Sequence, residues 1–526
     1  MSNDTVHHQP LMPHLLIEGL NRYNDEPCLY LGDKVATYKD VRESTSQMVQ
    51  ALRSKGLGAG SRIAVISANR PEVLSNIAAM QINGSIGTPL HPLGSLDDHA
   101  YVIEAAEIDT LVFDASVFSE VATALKERVP SLKNFLGFGP NEVGDDYLAL
   151  AAEFKPEPLV APDVLPSDIA SVNFTGGTTG KPKGVMSTYS VTAYMTQIQM
   201  AEWEFPEELR MLIATPLSHA AAAFFIPVLQ KGGAFYVMQG FSPDDFFDMV
   251  KTHRITCTML VPVMIYFLLD SPRATDGSMD SMQTIFYGAS AMNPARLKDG
   301  LEKWGQVFYQ FFGQSECPMV IANMRKKDHD LSKPERFASC GRPSPWVHVA
   351  LLDSENKPVA RGEPGEICVR GPLVMQGYKD MPEQTAEAFA GGWLHTGDVG
   401  KLDEDGFLYI VDRTKDMIVT GGFNVFPREV EDVLASHEAV AQSVVIGVPD
   451  EQWGEAVKAV VVLKAGFAAD ASLVASLQAH VKAVKGSVQS PKSVDFVEAI
   501  PLTPVGKPDK KAVKAQYWAG SERGVG

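Results

Sequence analysis

Hydrophobic and polar positions along the chain alternate between the period of a helix and that of a buried strand. The elements they predict in the first third are a helix ending before Gly56, a strand over 62–67, a helix over 71–82, a strand over 109–114 and a helix over 117–129. Strands that alternate with helices favour an α/β domain with a largely parallel sheet.

Beyond about residue 350 the pattern changes to short apolar stretches bounded by turn residues. Residues 365–371 and 406–411 predict hairpin strands. After Arg413 the chain predicts a separate α+β unit, with helices over 427–436 and 471–485 and strands over 442–447 and 457–463. The 526 residues are enough for two or more domains, and we expect a large N-terminal domain and a small C-terminal one.

Composition and charge narrow the classes of function. With 46 Lys+Arg against 64 Asp+Glu, the formal charge of −18 disfavours a nucleic-acid partner but leaves room for a small anion held by a few cations. The start of the chain shows no secretory pattern, and the apolar run 255–269 is too short to span a bilayer. The five cysteines form no CxxC pair, which favours reduced thiols in a cytoplasmic protein.

The densest chemical signal is the stretch of residues 171–185, SVNFTGGTTGKPKGV. Its glycines let the backbone present consecutive N–H groups to an anion. Hydroxyl groups and cations are supplied in the same stretch by Thr175, Thr178, Thr179, Lys181 and Lys183. The spacing of the glycines, and the proline after Lys181, exclude a Walker A loop. We expect a phosphate-binding loop of another kind.

Four further motifs follow this loop in order: FGQSE at 312–316, TGD at 396–398, DRTKD at 412–416 and PVGK at 504–507. Together with the loop, they resemble the motifs of the adenylate-forming enzymes, a family that includes acyl-CoA synthetases, firefly-type luciferases and adenylation domains of peptide synthetases. The resemblance implies an α/β N-terminal domain over 1–414, with stacked sheets, helices and a distorted β-barrel. It also implies a mobile α+β domain over 415–526, with its hinge at Lys415.

The resemblance also assigns roles to single residues. Catalysis would fall to Lys507, Glu316, Thr178 and Lys183. The nucleotide and CoA would be bound by Thr175, Gly176, Gly177, Thr179, Gly180, Gly288, Ala289, Ser290, Phe311, Phe312, Gly313, Gln314, Ser315, Asp398, Arg413, Gly421 and Gly422. The acid would contact His219, Tyr287, Gly288, Phe311 and Met319.

The chemistry of several of these side chains suits the implied roles. The carboxylate of Glu316 suits Mg²⁺, which prefers a few protein oxygens beside phosphate. Asp398 could accept hydrogen bonds from both ribose hydroxyls. The Lys507 cation would stabilise charge that develops on the α-phosphate. Phe312 stands where the family usually has Tyr, and Gly176 where many members have Ser.

The implied function is that of an ATP- and Mg²⁺-dependent carboxylic acid:CoA ligase, which forms acyl-AMP and then acyl-CoA from a fatty or aromatic acid. The implied partners are the acid, ATP and CoA, and the chain could form a homodimer. The alternative is a ligase that passes acyl-AMP to an amine or a carrier protein. A P-loop hydrolase is disfavoured by the loop spacing, and an inactive nucleotide-binding regulator by the presence of Lys507, Glu316 and Asp398.

Overall fold

The computed structural model describes residues 9–175, 182–413, 416–420, 423–450, 453–502 and 508–518. Its α-helices are α1 Met12–Arg22, α2 Tyr38–Ser54, α3 Pro71–Ile82, α4 Leu96–Ala105, α5 Ala115–Arg128, α6 Tyr147–Ala152, α7 Tyr189–Glu202, α8 Phe225–Gln230, α9 Pro243–His253, α10 Pro262–Asp270, α11 Pro294–Trp304, α12 Pro382–Ala388, α13 Pro427–Ala435, α14 Ala471–Gln489 and α15 Lys510–Trp518.

Its β-strands are β1 Pro27–Leu31, β2 Lys34–Thr37, β3 Arg62–Ile66, β4 Ile86–Pro89, β5 Thr110–Phe113, β6 Asn134–Gly137, β7 Asp145–Asp146, β8 Ile169–Thr175, β9 Lys183–Thr188, β10 Arg210–Ile213, β11 Ala234–Val237, β12 Cys257–Leu260, β13 Thr284–Tyr287, β14 Phe308–Gln314, β15 Cys317–Met324, β16 Arg342–Pro343, β17 His348–Leu352, β18 Gly365–Arg370, β19 Gly377–Tyr378, β20 Leu394–Leu402, β21 Leu408–Arg413, β22 Ile418–Thr420, β23 Phe423–Val425, β24 Val440–Asp450, β25 Gly454–Leu463 and β26 Ser493–Phe496.

Two large sheets form the greater part of the N-terminal region. In the described part of the chain, one has nine strands in the order β16-β15-β14-β13-β12-β10-β11-β1-β2, and the other has eight in the order β19-β9-β8-β4-β3-β5-β6-β7. The strands inside each sheet run parallel, whereas antiparallel strands such as β15 and β9 lie towards the edges. The predicted α/β fold with a largely parallel sheet is therefore confirmed.

The main hydrophobic core lies between these two sheets. One buried cluster joins Ile63 and Val185 of the eight-stranded sheet to Met211 and Phe286 of the nine-stranded sheet, through helices that include α2, α3 and α8. A second cluster packs α9, α10 and α11 on the outer face of the nine-stranded sheet. A third packs α4 and α5 on the outer face of the eight-stranded sheet. The result is a stack of five layers, because each parallel sheet must cover both of its faces.

The distorted β-barrel implied by the resemblance is, in the described residues, an open antiparallel sheet in the order β17-β18-β20-β21. Its edge strands β17 and β21 do not pair with each other there. The β21 edge instead meets the chain before β16, because Leu408 N–H donates to Gly341 O at 2.7 Å and Leu408 O accepts from Cys340 N–H at 2.8 Å. This contact joins the small sheet to the nine-stranded sheet.

The C-terminal region has its own sheet and its own core. The strands follow the order β23-β22-β25-β24, and β26 pairs with β25. Helices α13 and α14 cover one face with buried residues such as Val430 and Leu477. This arrangement is the α+β unit that the sequence predicts after Arg413.

The predicted elements agree closely with the observed ones. The helix predicted over 71–82 is α3, and the strand predicted over 62–67 is β3 with its last residue removed. The run 255–269 is a strand and a helix, β12 and α10. Within the described ranges, no helix combines the length and apolarity needed to cross a membrane. All five cysteines are buried and free.

Two glycines with the same backbone conformation allow a matched test of packing at the junction between the sheets. Gly341 and Gly362 have φ of +88° and +89°. A Cβ on Gly341 would overlap the backbone of Asn323 and Met324, whereas a Cβ on Gly362 would meet nothing within 4 Å. We expect Gly362→Ala to cost about 1 kcal/mol of strain and Gly341→Ala at least about 3 kcal/mol, both measured by denaturant unfolding. Equal losses would contradict the packing described here.

Candidate functional site

Glu316 lies in the tight turn of the hairpin formed by β14 and β15. The strands pair through Gln314 and Cys317, so that the turn places a half-buried Glu316 at the end of the hairpin. Its main-chain oxygen accepts a hydrogen bond from Met375 N–H at 2.8 Å. Its carboxylate Oε1 accepts one from the Tyr378 hydroxyl at 2.9 Å. Backbone and side chain are thus both fixed by the segment that ends in β19.

Tyr378 also contacts Lys183, which lies on the adjacent strand of the eight-stranded sheet. Strand β19 pairs with β9, with Tyr378 opposite Val185, and the Lys183 ammonium lies 4.7 Å from the centre of the Tyr378 ring. Thr175 is the residue paired with Lys183 across β8 and β9. Tyr378 therefore contacts two predicted site residues, Lys183 and Glu316, and Lys183 is in turn paired with Thr175.

Sequence reasoning did not identify Tyr378. The residue lies in a two-residue strand, which has too few positions to show a hydrophobic period. Burial and the neighbouring Glu316 carboxylate raise the pKa of Tyr378 far above its ordinary value. The hydroxyl therefore stays protonated and donates a hydrogen bond to the Glu316 carboxylate.

Several predicted site residues lie outside the described residues. They are Gly176, Gly177, Thr178, Thr179, Gly180, Lys415, Gly421, Gly422 and Lys507. The backbone of Arg413 is described and pairs with Asp398 across β20 and β21.

Several of the residues predicted to bind the nucleotide follow β13 or lie at the end of β14. Gly288 is buried against Phe311, because a Cβ at this position would lie 2.5 Å from the Phe311 carbonyl oxygen. Ala289 follows with a left-handed φ of +64°, and both it and Ser290 are exposed. Only glycine at position 288 allows this backbone segment to approach the β14 backbone so closely. The exposed backbone at 289 and 290 therefore begins directly beside Phe311.

The FGQSE motif lies beside this exposed backbone of residues 289 and 290. Phe312 is half-buried and packs against the main core, and Gly313 follows it near the end of β14. Gln314 donates from Nε2 to the carbonyl oxygen of Thr396 at 3.3 Å. Ser315 is exposed in the turn. The motif therefore contacts the TGD motif directly.

An aromatic cluster lies behind this surface. Phe311 stacks on Trp203 with ring centres 5.2 Å apart, and Phe286 stacks on the same tryptophan at 4.9 Å. Met319 belongs to the same buried cluster, with a left-handed φ of +61°. The predicted acid-binding residues Phe311 and Met319 therefore both lie in the main buried core. Trp203 was not identified from the sequence.

Tyr287 faces the other way. It is fully buried, and its hydroxyl contacts Gln310 Oε1 at 3.2 Å and His329 Nε2 at 2.9 Å. Side chains alternate between the two faces of a strand, so Phe286 packs with Phe311 while Tyr287 packs in the outer cluster. The structure does not bring Tyr287 together with the other predicted acid-binding side chains.

His219 lies at the start of a 3₁₀ helix and contacts a second histidine. Its ring meets His91 edge-on, with centres 4.7 Å apart, and its Nδ1 lies 2.8 Å from Ser218 Oγ. His219 is exposed at the surface, yet partial desolvation and the nearby His91 lower its pKa, so the ring is neutral near pH 7. Asn69 holds this loop by donating to Thr215 O at 3.0 Å and accepting from Leu217 N–H at 2.9 Å. Neither His91 nor Asn69 was identified from the sequence.

Asp398 is buried in the TGD motif beside a polar cluster on the small sheet. Glu366, Cys368 and His395 have donor atoms that all lie within 4.8 Å of one another, a geometry that could suit a metal ion. His395 Nδ1 lies 2.8 Å from Glu366 Oε2 and 3.5 Å from Cys368 Sγ. Burial raises the pKa of the Cys368 thiol to about 12, so the thiol is protonated in this hydrogen-bonded arrangement. The cluster is already satisfied as a hydrogen-bonded group.

Known proteins show the same fold and related sequences. Over 523 residues the chain is 51% identical to the medium/long-chain-fatty-acid–CoA ligase FadD8 of Mycobacterium tuberculosis, covering 98% of this chain and 91% of that protein. It is 34% identical to a feruloyl-CoA synthase of Amycolatopsis sp over 92% of this chain and 95% of the other. The solved amide bond synthetase McbA from Marinactinospora thermotolerans superposes with a TM-score of 0.88 at 32% identity, covering 96% and 99% of the two chains.

Two family models cover most of the sequence. Residues 17–379 match the AMP-binding enzyme model, and residues 429–507 match the model of the AMP-binding enzyme C-terminal domain. The chain therefore belongs to the family of AMP-binding enzymes.

Proposed function

We propose that this AMP-forming acid–CoA ligase activates a fatty or aromatic acid, at a site built around Lys183, Tyr378 and Glu316. The observation that carries the proposal is the double contact of Tyr378, which places a cation and a carboxylate together where the two large sheets meet. Such a pair suits a phosphate chain, since the cation can bind its oxygens and the carboxylate can hold a metal ion.

The first half-reaction forms the acyl-adenylate. A carboxylate oxygen of the acid attacks the α-phosphorus of ATP, and the bond to the β-phosphate oxygen breaks to release pyrophosphate. Lys183 and the hydroxyls of Thr178 and Thr179 would bind the phosphates, Asp398 the ribose, and Lys507 the charge that develops on the α-phosphate. Thr178, Thr179 and Lys507 are assigned from the sequence alone.

Magnesium fits the donor chemistry of this site. Glu316 is a half-buried hard carboxylate with one oxygen held by Tyr378, and a carboxylate has further acceptor positions. Glu316 would hold the ion, which when bound offsets charge on the phosphate oxygens. Tyr378 would keep the carboxylate oriented towards it.

The second half-reaction transfers the acyl group to CoA. The CoA sulfur attacks the acyl carbon, AMP leaves, and the thiol proton is released. We place the domain boundary between residues 414 and 415, with Lys415 as the hinge and Gly421 and Gly422 beside the incoming CoA. In support, the Arg428 N–H at the start of α13 donates to Asp412 Oδ2 of β21 at 2.8 Å, so the C-terminal helix docks next to that boundary.

The acid would lie against the aromatic cluster. Trp203, Phe286 and Phe311 are buried, stacked rings, and the neutral His219 begins the 3₁₀ helix whose Phe224 contacts Trp203. Apolar walls favour a fatty or aromatic acyl group over a small polar one. The relatives named for medium/long-chain fatty acids and for feruloyl-CoA support both classes.

A second acceptor class is supported by one comparison. The similarity to an amide bond synthetase favours transfer of the acyl group to an amine as the alternative, and a carrier-protein thiol is chemically equivalent to CoA.

We further propose a cytoplasmic location, where free thiols persist and ATP and CoA are supplied, and a homodimer as the assembly.

The acceptor and the acid class can be tested together. We expect pyrophosphate release that depends on a fatty or aromatic acid, and an acyl-CoA product identified by mass spectrometry when CoA is added. Amide formation with an amine and no acyl-CoA would support the alternative. Phosphate release without acid would contradict both.

Substitution of Lys507 separates the two half-reactions. We expect Lys507→Ala to lower acid-dependent pyrophosphate release about a hundredfold or more, while thioester formation from supplied acyl-AMP is retained. Lys511→Ala, an exposed lysine of α15, is the matched control and should change neither rate. Equal loss of both half-reactions in Lys507→Ala would contradict its role.

Substitution of Tyr378 tests the orientation of Glu316. Tyr378→Phe keeps the ring beside Lys183 but removes the hydrogen bond to Glu316. We expect the Mg²⁺ concentration for half-maximal pyrophosphate release to rise about tenfold. Tyr409→Phe removes a similar bond, 3.1 Å from its hydroxyl to Asp403, and should leave this concentration unchanged. A rise of the same size in both variants would argue against the assignment.

A further inference from the structure

The TGD motif lies in an interruption of the small sheet. Strands β18 and β20 pair through Glu366 and Val399, and then through Cys368 and His395. Between these pairs β18 advances by two residues and β20 by four, so the motif 396–398 lies opposite Ile367 alone. Such bulges redirect side chains and occur near active sites. Here the bulge presents Asp398.

A bulge of this kind removes ladder partners from backbone N–H groups. The N–H of Asp398 donates instead to Thr396 Oγ1 at 3.2 Å, and the Thr396 hydroxyl donates to Ile367 O at 2.7 Å. The N–H of Gly397, which has a left-handed φ of +71°, donates to Glu366 Oε1 at 2.8 Å. Side chains thus replace the missing ladder bonds, as buried backbone groups require.

Glu366 is itself held on its other oxygen. Its Oε2 lies 2.8 Å from His395 Nδ1, and His395 Nε2 lies 3.1 Å from Ala390 O. The carbonyl and carboxylate oxygens can only accept, so the His395 ring donates from Nε2 to Ala390 O and from Nδ1 to Glu366 Oε2. The side chains of Glu366 and His395 are about one-quarter and one-sixth exposed, so water competes weakly for these bonds. The carboxylate is fixed at both ends.

We infer that Glu366 is a positioning residue for nucleotide binding, which holds the 396–398 bulge so that Asp398 meets the ribose. The inference rests on the proposed role of Asp398. Glu366 acts through Gly397 and contacts neither the nucleotide nor the reacting atoms. His395 supports it by fixing the second carboxylate oxygen.

Conservative and disruptive variants separate positioning from simple destabilisation. In Glu366→Gln the amide oxygen can accept from Gly397 and the amide nitrogen can donate to a neutral His395, whereas Glu366→Ala loses both bonds. We expect Glu366→Ala to raise the dissociation constant of ATP, measured by calorimetry, about tenfold, and to raise the KM for ATP by the same factor. The kcat for pyrophosphate release should change much less. Glu366→Gln should stay near wild type. The exposed Glu363→Ala is the matched control.

A double-mutant cycle with Asp398→Ala distinguishes this inference from the proposed function. If Glu366 acts through Asp398, Glu366→Ala should weaken ATP binding no further in the Asp398→Ala background. Unchanged ATP affinity in Asp398→Ala would refute the ribose role itself. Weaker binding in Asp398→Ala but wild-type affinity in Glu366→Ala, or fully additive losses, would overturn the positioning role while leaving that of Asp398 intact.

Discussion

The proposed site depends on a short segment, residues 375–379, which contacts both large sheets at once. Met375 N–H donates to Glu316 O on the nine-stranded sheet, while Gln376 N–H donates to Met186 O and Lys379 N–H to Gly184 O on the eight-stranded sheet, all at 2.8–2.9 Å. The three hydrogen bonds fix the distance between a hairpin turn of one sheet and an edge strand of the other. Glu316 and Lys183 lie on different sheets, and these bonds hold the two residues beside each other. Tyr378 can contact both residues because its backbone is held in this way.

Hydrogen bonds from other segments also hold the TGD motif of the small sheet in place. Regular strands pair their own N–H and C=O groups, but an irregular segment must find other partners or leave polar groups unsatisfied. Glu366 and Thr396 supply these partners at the TGD bulge, and Gln314 adds a bond to the Thr396 carbonyl from the neighbouring hairpin. The irregular backbone around the buried Asp398 therefore has hydrogen-bond partners for its N–H groups, although β18 does not supply them through a regular ladder. The motif is thus held on one side by the pairing of Asp398 with Arg413 and on the other by these side-chain bonds.

The sequence predicted the scaffold well because its signals are local. Helix α3 begins with proline and keeps its apolar side chains buried, and β3 is a short apolar run, so both were predicted to within one residue. It was harder to predict from the sequence which face of a buried strand each side chain lies on. All four residues of β13 are buried, so no alternation tells which ones face Phe311, and Tyr287 was grouped with the wrong face of its strand. Tyr378, His91 and Trp203 meet the site through contacts between distant segments, which periodicity does not contain.

The excess of acidic residues and the anionic substrates can be reconciled by the local arrangement of charges. Lys379, next to Tyr378, pairs with Glu107 at 2.9 Å and with Asp380 at 2.5 Å, so its charge is offset. Lys183 lies instead over the Tyr378 ring, which holds the ammonium in place without cancelling its charge. Because exposed charges are screened beyond about 8 Å at physiological salt, the formal −18 spread over the surface weakens this local potential little. A lysine held by an aromatic ring therefore keeps its attraction for phosphate, whereas a lysine held by a carboxylate would lose most of it.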